Sequence, residues 1–268
     1  INGNGATCAA TAGNAAAIGG ALVALGSTPA EAAALASRVV GISCLPWANF
    51  AFNNRRVSEN FDEDAVSGTL KASYRPNDSL MVYGSYARGY KGAGYNMDRV
   101  LTGITPDASL YFPAETVDSF ELGFKATLVS RTLLLNGALF DQTLENFQLN
   151  TFLGTAFVVE SIPEVTSRGV DLDMIWFTPI DGLSFQGGLT YTDTQYANFT
   201  AADLSNPARF AQLSLLPGAR MSFAPEWSLS GALSFDRSLG GGLRGGFNLA
   251  AKYSSEYNTG SDLLPWKQ

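Results

Sequence analysis

The side chains with chemistry to offer sit at the wet positions of alternating stretches: Glu121, Lys125, Asp171, Asp173, Arg244, Lys252 and Glu256. Carboxylates and amines interleaved on one surface could line an aqueous lumen and hold another protein surface against it; the plainer alternative is a solvated face. No catalytic constellation joins them. The chain has no His, which removes the commonest general base and metal ligand, and no Gly-x-Ser-x-Gly run. Asp62-Glu63-Asp64 resembles a cation cluster in miniature, but three consecutive residues cannot all face one ion, so it reads as a solvated run with no metal. Gly240-Gly241-Gly242 is a hairpin turn and not a phosphate loop, because no helix follows it. Asn198-Phe199-Thr200 matches a glycosylation sequon. Tyr90, Tyr95, Asn96, Asp98 and Asn146 fall near loop tips, where rings and amides suit a small-molecule or glycan ligand. No cofactor is expected.

Those positions imply strands. In Phe120–Leu128 the even residues are apolar and the odd ones carry charge, Gly or Thr. Successive strand residues point to opposite faces, so one face is greasy and the other wet. The beat recurs in Val66–Tyr74, Val170–Trp176, Leu183–Tyr191, Trp227–Phe235 and Leu243–Tyr253, and less cleanly in Leu80–Tyr86 and Leu133–Phe140. About eight strands result, at roughly 64–75, 79–90, 116–129, 131–149, 161–178, 182–198, 223–236 and 242–257. Tight connections (Arg75–Asp78, Ser130-Arg131, Pro179–Gly182, Gly240–Gly242) alternate with looser ones, a medium loop at 150–160 among them. That rhythm is the plan of an antiparallel transmembrane β-barrel with short periplasmic turns and long extracellular loops. Tyr74, Trp176, Phe177, Trp227 and Phe235 lie near one set of turns, and Tyr90, Tyr95, Tyr111, Phe112, Tyr196 and Tyr257 near the other, as two interfacial girdles would.

Composition agrees. The 268 residues are 46% hydrophobic and only 15% charged, against the usual quarter. A net charge of -7 argues against nucleic acid and against anionic surfaces as partners. No window reaches the ~18 uncharged apolar residues of a transmembrane helix. The opening Ile-Asn-Gly-Asn-Gly lacks a signal peptide's basic region, so the chain reads as mature or as a piece of something longer.

Several segments, in order, resemble TonB-dependent outer-membrane receptors. Phe112-Pro113-Ala114-Glu115-Thr116-Val117-Asp118-Ser119-Phe120-Glu121-Leu122-Gly123-Phe124-Lys125 is similar to that family's Pro-Glu…(Tyr/Phe)-Glu-x-Gly-x-Lys strand. Leu135–Phe140 with Asn146-Phe147-Gln148, and Ser167-Arg168-Gly169-Val170-Asp171-Leu172-Asp173, resemble the strands that follow. Pro179–Leu183 through Gly188–Asp193, and Tyr83-Gly84-Ser85-Tyr86-Ala87-Arg88-Gly89-Tyr90-Lys91, complete a set covering about residues 56–257. The resemblance implies residence in the outer membrane of a Gram-negative bacterium, lipid around the wall, and import of a scarce ligand (siderophore, cobalamin or glycan) powered by TonB through a plug domain. It also implies a barrel of about 22 strands. The plug, the TonB box and a terminal aromatic residue are not visible, so the chain reads as an internal piece from the barrel's later half. Two other readings stay open: a small self-contained barrel with a structural or adhesive role, since eight strands can close, and an outer-membrane enzyme, disfavoured by the missing His.

Residues 1–60 differ in kind from the barrel segment at 61–268. Asn14 is placed to cap a helix over 15–25 closed by Gly26, and Thr28-Pro29-Ala30-Glu31 reads as a capping box opening a second helix that ends before Gly41. The resulting Ala-rich hairpin is expected in a large extracellular loop. Cys8 and Cys44 flank it; in an exported protein they read as a disulfide, or else as two separate buried thiols.

Overall fold

The computed structural model describes residues 6–43, 58, 60–96, 110–152, 157–204, 207 and 210–265. Most of the chain is antiparallel sheet. Strands β1 (Gly68–Asn77), β2 (Leu80–Lys91), β5 (Glu115–Leu128), β6 (Leu133–Phe152), β7 (Phe157–Phe177), β8 (Leu183–Tyr196), β9 (Trp227–Gly240) and β10 (Leu243–Ser254) form one eight-stranded sheet in the order β1-β2-β5-β6-β7-β8-β9-β10. Two short strands, β3 (Gly94–Tyr95) and β4 (Tyr111–Phe112), pair separately. The order leaves β1 and β10 at the ends of the sheet.

Register turns the alternating sequence into two faces. Val170 faces Tyr191, Leu172 faces Leu189 and Trp176 faces Phe185 across β7–β8. Leu189 faces Leu229, Phe185 faces Leu233 and Tyr191 faces Trp227 across β8–β9, and Phe235 meets Phe247 across β9–β10. The opposite face pairs Asp171 with Thr190, Thr190 with Ser228 and Ser234 with Asn248. A slip by one residue would exchange the faces, so the apolar pattern itself specifies the pairing.

Glycine builds the tight connections at Gly182 and at Gly240–Gly242, whereas the turn between β5 and β6 puts Val129, Ser130 and Arg131 at φ +50°, +53° and +71°. Gly240, Gly241 and Gly242 all have positive φ (87°, 62° and 79°), which only glycine adopts without strain. The other end departs from the expected layout. β6 and β7 run for 20 and 21 residues, so the segment expected as a medium loop is strand at 150–152 and 157–160. Within β6, Asn146 has φ +53°, a left-handed step that Asn tolerates. Phe147, whose odd number would put it with Leu139 on the apolar face, instead meets the ring of Tyr196 at 6.4 Å. Tyr196 shares the polar-face parity of Thr190, and such a step reads as a bulge that redirects the following side chains.

After β8 the chain folds back and extends the ladder. Thr192 N–H bonds to Glu226 O, Met221 N–H to Thr194 O, and Tyr196 N–H to Ala219 O. Beyond β10, Phe223 N–H bonds to Asn258 O and Ser255 N–H to Trp227 O. Ile162, Val165, Tyr196, Leu213 and Leu216 are each at most 1% exposed, the best-buried apolar side chains of this part of the chain.

The helical segment carries α1 (Ala6–Gly13), α2 (Ala15–Ala24) and α3 (Pro29–Ser43). The capping box is present: Thr28 N–H and Oγ1–H both donate to Glu31 Oε2 (2.9 and 2.7 Å), and Glu31 N–H reaches back to Thr28 Oγ1 at 3.4 Å. Gly26, at φ +99°, ends α2 in a Schellman turn, with Ser27 N–H on Leu22 O and Gly26 N–H on Val23 O. Two expectations fail. Asn14 makes no side-chain cap for α2; its Nδ2 bonds back to Ala10 O, because α1 runs almost directly into α2. And α3 passes through Gly41 to Ser43, since an interior glycine costs a helix only about 1 kcal/mol.

Candidate functional site

The polar face of the sheet gathers most of the charged residues singled out by their spacing. Glu121 and Lys125 stand on β5 opposite Phe140 and Asn136 of β6. Asn136 Nδ2 donates to Asp173 Oδ2 at 2.6 Å, and Thr190 Oγ1 donates to Asp171 Oδ1 at 2.7 Å. Arg244 makes a two-pronged contact with Asp236, Nε to Oδ1 at 3.2 Å and Nη2 to Oδ2 at 2.9 Å. Lys252 pairs in register with Ser230, and Ser230 with Gly188. A shallow depression of about 630 Å³ is lined by Asp173, Gln186, Gly188, Ser230 and Lys252 among others. Glu256 is the exception: it lies past the end of β10, beside Arg220 and Tyr257 and away from this row.

Spacing alone missed several members. Lys71 holds its ammonium 3.9 Å from the centre of the Tyr83 ring, a cation–π contact. Tyr83 in turn covers Gly123, where a Cβ would come within 2.5 Å of the ring. Phe140 covers Gly169 in the same way. These rings stand on a face otherwise polar, so periodicity assigned them no role; a ring opposite a glycine was the available signal. With Lys71, Lys125, Arg244 and Lys252 set against Glu121, Asp171, Asp173 and Asp236, the face is balanced in charge.

The loop-tip candidates have different surroundings. Tyr90 is an exposed residue near the end of β2. Asn96 is buried and spent on backbone: its Nδ2 donates to Val159 O at 2.8 Å, and its Oδ1 accepts from Val159 N–H at 2.7 Å. Asn146 is exposed and makes the strand step already described. Asp98 lies outside the described residues. Tyr95 belongs to a triangle of rings with Phe61 and Tyr111, centroids 5.7 to 5.8 Å apart. Phe61 and Tyr111 keep 43% and 38% of their surface exposed. Beside them Glu63 accepts the Ala93 N–H, so one member of the acidic run anchors backbone. Among the described residues no group of three or more acidic or Cys side chains is arranged to hold a metal. Cys8 is buried at 8% exposure; Cys44, its expected partner, lies outside the described residues.

An apolar face running across every strand, a charge-balanced opposite face and rings at the strand ends define a transmembrane β-barrel wall. No helix among the described residues is long and apolar enough to cross a membrane. A family model described as "TonB dependent receptor-like, beta-barrel" matches residues 45–265, and the chain belongs to that family of Gram-negative outer-membrane proteins. Among solved structures it resembles the ferric yersiniabactin uptake receptor FyuA from Yersinia pestis, at 23% identity and TM-score 0.58 over 75% of this chain. It also resembles BauA, the ferric preacinetobactin receptor from Acinetobacter baumannii, at 18% identity and TM-score 0.50 over 74% of this chain. The chain spans 27% of the length of each.

Proposed function

We propose that this chain is part of the wall of a receptor that imports a scarce small ligand across the outer membrane with energy from the TonB system. The charge-balanced polar face carries the reading. A lumen-facing surface with Glu121, Lys125, Asp171, Asp173, Arg244 and Lys252 suits contact with a movable plug domain, through which TonB would act. The apolar face meets outer-membrane lipid, the short turns face the periplasm, and the long connections face outward. Within those connections the ring triangle of Phe61, Tyr95 and Tyr111 offers stacking surface to a ligand such as a siderophore, cobalamin or glycan. A Cys8–Cys44 disulfide would brace the helices of the outer segment by about 4 kcal/mol in the chain-entropy model. The family consists of receptors, and the reading gives this chain no catalytic role.

Ligand accumulation in cells with and without TonB tests the energy coupling; uptake that survives deletion of TonB rejects it. Replacing Tyr95 and Tyr111 together by Ala should weaken ligand binding about tenfold, as loss of stacked rings does. Orientation is tested separately, by labelling intact cells with a membrane-impermeant thiol reagent. Leu25→Cys should label and Asp78→Cys should not.

A further inference from the structure

The rings of Phe61, Tyr95 and Tyr111 stand on elements that the eight-stranded ladder does not include. β3 and β4 pair only with each other, and Phe61 lies in no strand. Strand register, which sets the side chains of the wall, therefore does not set the mutual geometry of these rings. A surface that recognises a ligand needs packing and hydrogen bonds behind it to stay in place.

Three side chains supply that support, each bonding backbone far away in the chain. Glu63 accepts the Ala93 N–H just before β3, with its two carboxylate oxygens 3.3 and 3.2 Å away. Gln148 of β6, itself buried, donates from Nε2 to Pro113 O just after β4 at 3.0 Å. Between these two ends, Asn96 joins the β3–β4 pair to β7. Its backbone N–H donates to Leu110 O at 2.8 Å, continuing the pairing of β3 with β4. Its side-chain amide exchanges two hydrogen bonds with Val159, donating to O at 2.8 Å and accepting from N–H at 2.7 Å. Two facing residues of an antiparallel pair exchange bonds in this way, and here a side-chain amide stands in for one peptide group. Asn fits and Asp does not, because a carboxylate would set a second oxygen against Val159 O. Leu110 and Val158 are 2% and 1% exposed and Asn96 is 7%, so little water is at hand to replace a lost partner. All of these residues, and the three rings, fall in one compact unit of the chain.

We propose that Asn96 is a positioning residue for the ring surface. With Gln148 and Glu63 it docks β3–β4 as one piece and so holds Tyr95 and Tyr111 against Phe61. Asn96 then acts behind the ligand and not on it, and the charge of Glu63 serves as a backbone acceptor within the acidic run. The inference rests on the ligand-contact role given to the rings under Proposed function.

The test uses the full-length receptor in detergent with no ligand added. Hydrogen exchange reads the docking, and hydroxyl-radical footprinting reads the rings. In Asn96→Ala, exchange should rise at least about tenfold at residues 93–96, 110–113 and 157–160, the scale of two hydrogen bonds lost from a buried pair. Exchange in β8 should stay as it was, and oxidation of Tyr95 should rise together with the exchange. Gln148→Ala, which frees only the end at Pro113, should give the same pattern with a rise of roughly fivefold. Faster exchange at 157–160 with Tyr95 oxidation unchanged would make Asn96 a brace of β7 alone and overturn the proposal. So would unchanged exchange in both variants. Faster exchange in β8 as well would make Asn96 a requirement of the whole barrel, which also overturns it. Ligand uptake that persists without TonB would instead reject the reading under Proposed function and leave these exchange and oxidation patterns as they are.

Discussion

The eight-stranded sheet and the helices of residues 6–43 are ordered over very different distances along the chain. In the sheet, Glu121 stands opposite Phe140, Asn136 bonds Asp173, and Arg88 pairs with Asp118. Each contact closes a loop of tens of residues, and none forms until the register is right. In the helices, Thr28 and Glu31 satisfy one another three residues apart, and Gly26 ends α2 within one turn. The helices also bury little: α2 has no buried residue, while α3 buries only the small side chains Ala32 and Ala36 among those described. Long-range order should therefore fail as a whole when one partner is spoiled, and short-range order should fray locally. Four measurements grade that contrast.

The largest effect is expected at Gly169. A Cβ there would lie 2.0 Å from the Tyr191 carbonyl oxygen and 2.8 Å from the Phe140 ring. The carbonyl belongs to the neighbouring strand and cannot yield without breaking the β7–β8 ladder. Gly169→Val should cost more than about 4 kcal/mol, the range reserved for core overpacking and backbone clashes. Loss of heat-modifiable migration of the refolded barrel reads this out; a normally folding variant would show that the ladder can open locally, as the helices do.

Next come two adjacent residues on opposite faces. Leu189 lies between Leu172 and Leu229, and Thr190 bonds Asp171. Leu189→Arg should destabilise the barrel in lipid vesicles by about 2–4 kcal/mol, the cost of a cation at mid-depth on the lipid face. Thr190→Arg should cost less than about 1 kcal/mol, because a cation there gains Asp171 and water. Equal costs in urea titrations would mean that both faces are wet and that the sheet is no membrane wall.

These contrasts follow how much of the molecule could be read without its structure. Strand positions, the two faces and the polar row were legible because period-two alternation is local and repeats. The capping box and Gly26 were legible because helix-end chemistry spans four residues. The bulge at Asn146 was not: its left-handed step makes Phe147 fall on the side that parity denies it. Asn96 looked like a free loop amide, yet its partner, the Val159 backbone, lies 63 residues away. Glu256 kept the right parity but falls beyond the end of β10. The ring triangle joins Phe61 to Tyr95 and Tyr111 through a meeting of segments that no spacing rule reports.

On the local side, Thr28→Ala should remove the hydroxyl partner of Glu31 and weaken the start of α3 by about 1 kcal/mol. The barrel's unfolding midpoint should not move. Hydrogen exchange separates the two, with faster exchange at Ala32 and Ala33 and unchanged exchange in β8. Faster exchange in β8 as well would tie the two regions into one cooperative unit.

The smallest effect is a pH dependence confined to the same turn. The Thr28 hydroxyl and then its backbone N–H hold the Glu31 carboxyl below its ordinary 4.5. A carboxyl with a depressed folded pKa contributes fully above its unfolded value and loses that contribution as pH falls through the folded one. Protection of the first-turn amides of α3, corrected for intrinsic exchange, should therefore hold at neutral pH and decline below about 4.5. Glu31→Gln should start lower and stay flat. Asp203, held down by Thr200 in the same way, should show a parallel decline at its own turn. Parallel behaviour would mark both as isolated local caps. A decline in Glu31→Gln matching that of the unsubstituted chain would place the titrating group elsewhere and remove the cap as its cause.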